Sequence, residues 1–140
     1  MSDKQILKLL RSKKPHFLEL LGGEIKSFQS TPPELKMEFK VVKDFCHTGG
    51  KIIHGGFVTV MLDSPMAHLA MALLDFKINP MTLDINISFI EPSHPGKLES
   101  VSKVVKLGKS TGFLSSNLYQ EGSLVATATS TVKLVPMVRI

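Results

Sequence analysis

The chain has a single cysteine, no tryptophan and one tyrosine among its 140 residues. Cys46 therefore has no partner for an internal disulfide, and no second thiol exists for a cysteine-ligated metal cluster. An aromatic platform for stacking nucleic-acid bases would have to be built from phenylalanine. No known nucleic-acid-binding motif is present and the lysines are scattered along the chain, so we expect no nucleic-acid partner and no metal.

A long uninterrupted apolar run is also missing. Residues 1–21 alternate lysine with leucine and lack the continuous apolar stretch of a signal peptide. The most apolar segment, residues 55–74, is interrupted by Asp63, Pro65 and His68, which favours a buried helix over a membrane span. We therefore expect a cytoplasmic protein without a membrane partner.

What the chain does contain is typical of one globular domain covering residues 1–140. Hydrophobic residues make up 43% and charged residues 21%, which excludes a disordered or low-complexity chain. Lysine and arginine exceed aspartate and glutamate, 17 against 12, so the net charge is +5. This excess favours an anionic partner without identifying it.

The hydrophobic pattern predicts an α+β fold. Residues 1–21 are expected to be an N-terminal helical segment that is interrupted at Pro15. Leu35, Met37, Phe39 and Val41 alternate with polar residues, as in a half-buried strand. Residues 43–53 are predicted to be a loop, and the other strands are expected within residues 24–42, 83–89, 98–107, 112–120 and 123–135. Short connections predict that the last four strands form an antiparallel meander.

Residues 55–74 are predicted to be the central helix, covered by a curved antiparallel sheet. Pro65 predicts a kink at residues 63–65, with Ser64 as the cap of a restarted helix. The helix is apolar on more faces than one sheet can cover, so its composition predicts contact with a second subunit.

The residues around the start of this helix suit nucleophilic addition to a carbonyl group. A helix N-terminus presents unpaired N–H groups, and a glycine there lets a carbonyl oxygen approach closely. The Gly55 N–H is thus a candidate oxyanion donor, and Asp63 is a candidate general base or nucleophile. Eight residues of helix span about 12 Å, so Gly55 and Asp63 of one chain cannot reach the same carbonyl carbon. If both act, one of them must come from a second copy.

The order of these pieces resembles the hotdog-fold acyl-CoA thioesterases of the phenylacetate-pathway and 4-hydroxybenzoyl-CoA type. The resemblance covers roughly residues 35–135 and rests on the sequence His54-Gly55-Gly56, on an acidic residue nine positions after the histidine, and on a later strand motif. That motif is Thr82-Leu83-Asp84-Ile85-Asn86-Ile87-Ser88-Phe89-Ile90-Glu91-Pro92.

The resemblance implies a hotdog fold, a homodimer or a dimer of dimers, and an acyl-CoA substrate with no separate cofactor. It implies that Gly55 of one subunit works with Asp63 and Thr82 of the other. Thr48, His54 and Gly56 are then expected beside the substrate, with His54 orienting the loop.

The resemblance also suggests a site for coenzyme A phosphates. The matching turn contains Lys106, Gly108, Lys109 and Ser110, and lysines at a Gly-Ser turn suit phosphate contacts. One departure concerns the family's Asn six residues before the histidine and its Gly three residues before it, which are Thr48 and Lys51 here.

Several alternatives remain open from the residues alone. Asp63 could instead cap the restarted helix, or act with His68 in a hydratase or dehydratase of the same fold. A non-catalytic acyl-CoA-binding regulatory module is a further alternative. The acyl group is not identified, although an adaptable acyl channel is expected from Phe57, Met61, Met66, Met71 and Met81.

Overall fold

The computed structural model describes residues 1–137 and contains three α-helices and eight strands in that range. The helices are α1 (Asp3–Ser12), α2 (His16–Leu20) and α3 (Gly55–Leu73). The strands are β1 (Glu24–Ser30), β2 (Pro33–Val41), β3 (Cys46–His47), β4 (Ile52–Ile53), β5 (Ile78–Phe89), β6 (Gly96–Leu107), β7 (Thr111–Gln120) and β8 (Ser123–Pro136).

Six strands form one antiparallel sheet in the order β1-β2-β6-β7-β8-β5, and α3 packs across its concave face. The expected α+β architecture, a curved sheet around one long helix, is therefore confirmed. Strand β2 shows why: Leu35, Met37, Phe39 and Val41 are all buried toward the helix, while Lys36 and Lys40 are exposed.

The predicted four-strand meander is wrong at its first step. Strands β6, β7 and β8 are consecutive neighbours, but β5 pairs with β8, and β6 pairs with β2. The connection from β5 to β6, residues 90–95, therefore crosses the end of the sheet instead of making a hairpin. Short length alone does not impose a hairpin, because Pro92 and Pro95 keep this connection extended.

The central helix also differs from the expected restart. Helix α3 continues from Gly55 to Leu73 through Pro65, which is buried, and Ser64 is an interior residue rather than a cap. Proline removes one backbone donor, but packing against five strands of the sheet holds the helix together. The alternative that Asp63 caps a second helix therefore has no support in the fold.

The two edge strands of the sheet, β1 and β5, differ in whether another element covers them. At the β1 edge, Asp3 accepts the Ser30 N–H at 3.0 Å, and Arg11 donates to the Ile25 and Lys26 carbonyls at 3.0 and 3.3 Å. Strand β5 forms the other edge, and no described element pairs with its outer side. Open strand edges readily pair with another chain.

Residues 43–53 contain more structure than the predicted loop. A 3-10 helix, Lys43–Phe45, leads into the two-residue strands β3 and β4, which pair with each other. The His54 N–H donates to the Phe45 carbonyl at 3.0 Å, so this small hairpin is attached to the start of α3.

Candidate active site

The first turn of α3 leaves one backbone donor free. The Gly56 N–H donates to His54 Nδ1 at 2.9 Å, and the Phe57 N–H donates to the His54 carbonyl at 3.0 Å. Among the described residues, the Gly55 N–H makes no hydrogen bond. His54 thus acts as the N-cap of α3, and the free donor is the one expected to bind an oxyanion.

The space around both glycines is limited. A Cβ at Gly55 would lie 3.3 Å from two ring atoms of Phe89, and one at Gly56 would lie 3.0 Å from His54 Nδ1. A side chain at Gly56 would therefore push against the imidazole that caps the helix. Gly55 and Phe89 border an open groove of about 380 Å³, together with His47, Ile52, Ile53, Ile90, Glu91, Pro92 and Ser93.

Hydrogen bonds of Ser93 and His94 form a brace next to this groove, and the sequence did not predict it. The Ile53 N–H donates to the Ser93 carbonyl at 2.8 Å. His94 exchanges two backbone hydrogen bonds of 2.8 Å with the Gln120 side chain, and its Nδ1 lies 2.8 Å from the Lys51 carbonyl oxygen. The prolines at positions 92 and 95 predict a turn there, but they give no indication of this long-range contact.

Asp63 and Thr82 lie together, as expected. The Thr82 hydroxyl donates to Asp63 Oδ1 at 3.0 Å, although the two residues belong to α3 and β5. The Asp63 carboxylate is half-buried, and its second oxygen makes no hydrogen bond among the described residues. Gly55 lies about 12 Å from Asp63 along the helix axis, so one chain keeps these groups apart.

Thr48 lies in the turn between β3 and β4 with φ at +55°, in the left-handed region. Its hydroxyl is 2.8 Å from His47 Nδ1, and His47 borders the groove at Gly55. Left-handed backbone favours glycine and asparagine and is unusual for a β-branched residue. Position 48 therefore has the backbone geometry that suits the asparagine of the resembled family.

The predicted phosphate-binding turn is an exposed connection between β6 and β7. The Gly108 N–H donates to the Thr111 carbonyl at 2.9 Å, and the Leu134 N–H donates to the Ser110 carbonyl at 2.8 Å. Lys106 and Lys109 make no ion pair among residues 1–137. Other lysines of the same strand are paired: Lys97 is 3.2 Å from Glu38, and Lys103 is 3.7 Å from Glu34.

No hydrogen bond joins His68 to Asp63 among the described residues. Its Nδ1 lies 2.7 Å from the Ser64 carbonyl oxygen, so that nitrogen carries the proton. Burial lowers the pKa of His68, and the hydrogen bond to Ser64 opposes part of that effect. The geometry of this single chain therefore gives no support to the hydratase alternative.

The predicted methionine channel is only partly present. Met61 and Met66 are fully buried in the core, whereas Met81 is half-exposed. Met71 does border a cavity, which lies farther along α3 than Asp63.

Comparison with known proteins decides the family. The family model described as "Thioesterase superfamily" matches residues 50–127, which include α3, β5, β6 and β7. The chain belongs to the thioesterase superfamily. It is a thioester hydrolase with the hotdog fold, and the resemblance to phenylacetate-pathway thioesterases is confirmed. No curated protein sequence matches the chain.

Solved structures of thioesterases superpose on most of this hydrolase. A phenylacetic acid degradation-related protein of Ralstonia eutropha JMP134 is 29% identical, with a TM-score of 0.84 over 91% of this chain and 98% of that one. The PaaI protein of the E. coli phenylacetic acid degradation operon is 17% identical, with a TM-score of 0.83 over 96% of both chains. Zebra fish thioesterase superfamily member 2 is 21% identical, with a TM-score of 0.78 over 96% and 99%.

By length and composition alone helix α3 could cross a membrane, but half of its most apolar stretch is buried inside the fold. The core helix of a soluble protein has the same properties. The cytoplasmic location and the absence of a cofactor stay predictions.

Proposed function

We propose that this thioesterase hydrolyses acyl-CoA thioesters at sites shared between two copies of the chain. The observation that carries the proposal is the division of the polar groups along α3. The free Gly55 N–H and the Asp63–Thr82 pair lie at two positions about 12 Å apart on one helix. An antiparallel partner helix would bring each group opposite its complement.

Two surfaces support such a partner. A stripe of incompletely buried residues follows one face of α3, and it consists of Gly56, Val60, Asp63, Ala67 and Met71. The open β5 edge carries the exposed apolar side chains Met81, Leu83 and Phe89. Apolar groups at an open strand edge favour association with another chain. The further step to a dimer of dimers stays a prediction.

The chemistry follows from the groups that would meet. The Gly55 N–H donates to the thioester carbonyl oxygen, which becomes negatively charged when a nucleophile adds to the carbonyl carbon. Asp63 of the other copy either removes a proton from the attacking water or attacks the carbon itself to give an anhydride. In both cases the thiolate of coenzyme A leaves and is protonated; on the second route water then hydrolyses the anhydride, which releases the free acid and regenerates the Asp63 carboxylate. Thr82 orients the carboxylate through its hydrogen bond.

Coenzyme A phosphates are assigned to the exposed turn between β6 and β7. Lys106 and Lys109 are the lysines there without a carboxylate partner among the described residues, and Ser110 adds a hydroxyl. Cations that are not neutralised by neighbouring acids are free to pair with phosphate.

Mixed dimers test the shared site. Gly55→Pro removes the N–H at a helix position that accepts proline, and Asp63→Ala removes the carboxylate. Each variant alone should lose thiol release from acyl-CoA. A randomly mixed dimer population should recover about a quarter of wild-type activity, because each heterodimer contains one intact site.

The matched control combines both substitutions in one chain and mixes that chain with wild type. Its heterodimers contain no intact shared site, so they should add no activity beyond the wild-type homodimers. Verified heterodimers of the single variants without any recovery would contradict the two-subunit site. Absence of thiol release by the wild type on every acyl-CoA would contradict the proposed substrate class.

A further inference from the structure

A cavity of about 250 Å³ lies between the C-terminal half of α3, the start of β5 and the N-terminal segment that runs from the end of α1 into α2. Helix α3 contributes three residues to it, β5 two and the N-terminal segment three. The lining residues are Ala67, His68, Met71, Asn79, Pro80, Lys13, Pro15 and Phe17.

The cavity lies next to the Asp63–Thr82 pair along both α3 and β5. Ala67 and Met71 follow Asp63 by one and two helical turns, about 6 and 12 Å along the same face. Pro80 precedes Thr82 by two residues on β5, so both point to the same side of the sheet. A thioester whose carbonyl carbon lies at Asp63 can therefore extend its acyl group directly into this space.

On the basis of the proposed function, we propose that this cavity holds the acyl group and that Phe17 and Met71 limit its length. The ligand class is an uncharged, apolar acyl group that ends within about 12 Å of the carbonyl carbon. Longer acyl chains would meet the side chains of Phe17 and Met71 at the far end.

The chemistry of the lining agrees with this class. No carboxylate borders the cavity. The Lys13 ammonium lies 5.7 Å from the centre of the Phe76 ring, where a cation is attracted to the aromatic face. His68 keeps its proton on Nδ1 for the Ser64 carbonyl, and the neutral ring adds no charge. Apolar ligand groups are favoured in such a site because their burial removes apolar surface from water.

The far side of the cavity lies outside the part of the chain that the superfamily model matches. Lys13, Pro15 and Phe17 lie outside residues 50–127, the part matched by the superfamily model. The end of the cavity next to Asp63 therefore belongs to the part of the chain that the superfamily model matches, whereas its far end comes from the N-terminal segment. Substitutions in this segment can therefore change the length of acyl group that the enzyme accepts, while Asp63 and Gly55 stay the same.

The test compares thiol release from saturated acyl-CoAs, from butyryl to palmitoyl, as kcat/KM for each chain length. In wild type, kcat/KM should rise with length and then fall. Phe17→Ala and Met71→Ala should move the maximum to longer chains, with a gain of about threefold to fourfold for each additional methylene that becomes buried. Phe17→Trp should move the maximum to shorter chains, which keeps the test decisive if a truncated variant folds poorly.

Leu20→Ala is the matched control. Leu20 lies on the same short helix as Phe17, is 58% exposed and does not border the cavity, so its length profile should equal that of wild type. If wild type hydrolyses acyl-CoA but Phe17→Ala, Phe17→Trp and Met71→Ala all keep its length profile, the assignment of the cavity is wrong. If wild type releases no thiol from any member of the series, the proposed function itself fails.

Discussion

Thr48→Asn should raise both the stability and the activity of this thioesterase. The backbone of Thr48 has φ at +55°, a region that costs an ordinary L-residue about 1–2 kcal/mol and that asparagine adopts more readily. The substitution also replaces the hydroxyl that lies 2.8 Å from His47 Nδ1, a contact worth about 0.5 kcal/mol on an exposed loop. The net gain is about 0.5–1 kcal/mol, or about 2–5 °C in Tm for a domain of this length.

The same substitution places an amide where the resembled family commonly has asparagine. An amide both donates and accepts, and position 48 adjoins His47 at the rim of the groove that contains Gly55. One additional hydrogen bond to the reacting substrate should raise kcat/KM by about twofold to tenfold. Calorimetry at a fixed protein concentration and thiol release from acyl-CoA measure the two effects separately.

Glu121→Asn separates strain relief from catalysis. Glu121 and Gly122 have φ at +50° and +78° in the turn between β7 and β8, and Asn-Gly is favoured in such a turn. Glu121→Asn should therefore raise Tm by a similar amount without changing kcat/KM. If Thr48→Asn leaves Tm unchanged while Glu121→Asn raises it, the strain argument is wrong. If only Tm rises at position 48, the amide has no part in the reaction.

Three further substitutions test the site and its surroundings. Thr82→Val removes the 3.0 Å hydrogen bond to Asp63 and should lower kcat by about tenfold to a hundredfold at little cost in Tm; an unchanged kcat in steady-state assays would exclude Thr82 from the mechanism. Burial lowers the pKa of His68, so the unfolded chain binds the proton more readily and the free energy of unfolding must fall as pH drops below about 6.5. His68→Gln should reduce this dependence in urea titrations at pH 5, 6 and 7, and an identical pH slope would contradict the assignment. Lys109→Ala should raise the KM for acyl-CoA by about twofold to fivefold at low salt, whereas the ion-paired Lys97→Ala should not; equal KM values would remove the turn from phosphate binding.

Local sequence patterns predict well the features that depend on a single helix or strand. The alternation from Leu35 to Val41 identifies β2 and its buried face, and the apolar run after Gly56 identifies α3. The glycine pair also predicts a helix N-terminus with an available donor. In each case the signal arises from one period of side chains on one element.

Long-range pairing was less predictable. The contact between Asp63 and Thr82 joins residues 19 positions apart, and only the family resemblance suggested it. The Gln120–His94 brace and the pairing of β5 with β8 depend on which strands become neighbours, which a short connection does not determine. The unbroken helix at Pro65 has the same origin, because packing against the sheet outweighs the local cost of proline.

In the proposed dimer, the asymmetry of the sheet would link association with catalysis. Helix α1 occupies the β1 edge through Asp3 and Arg11, so β5 is the edge left for a second chain. Strand β5 also carries Thr82, and Asp63 lies on the uncovered stripe of α3 beside it. A partner that covers the open edge and the helix stripe would therefore approach the Asp63 carboxylate as well. A monomeric variant should accordingly lose activity together with the interface, even when every proposed catalytic residue is intact.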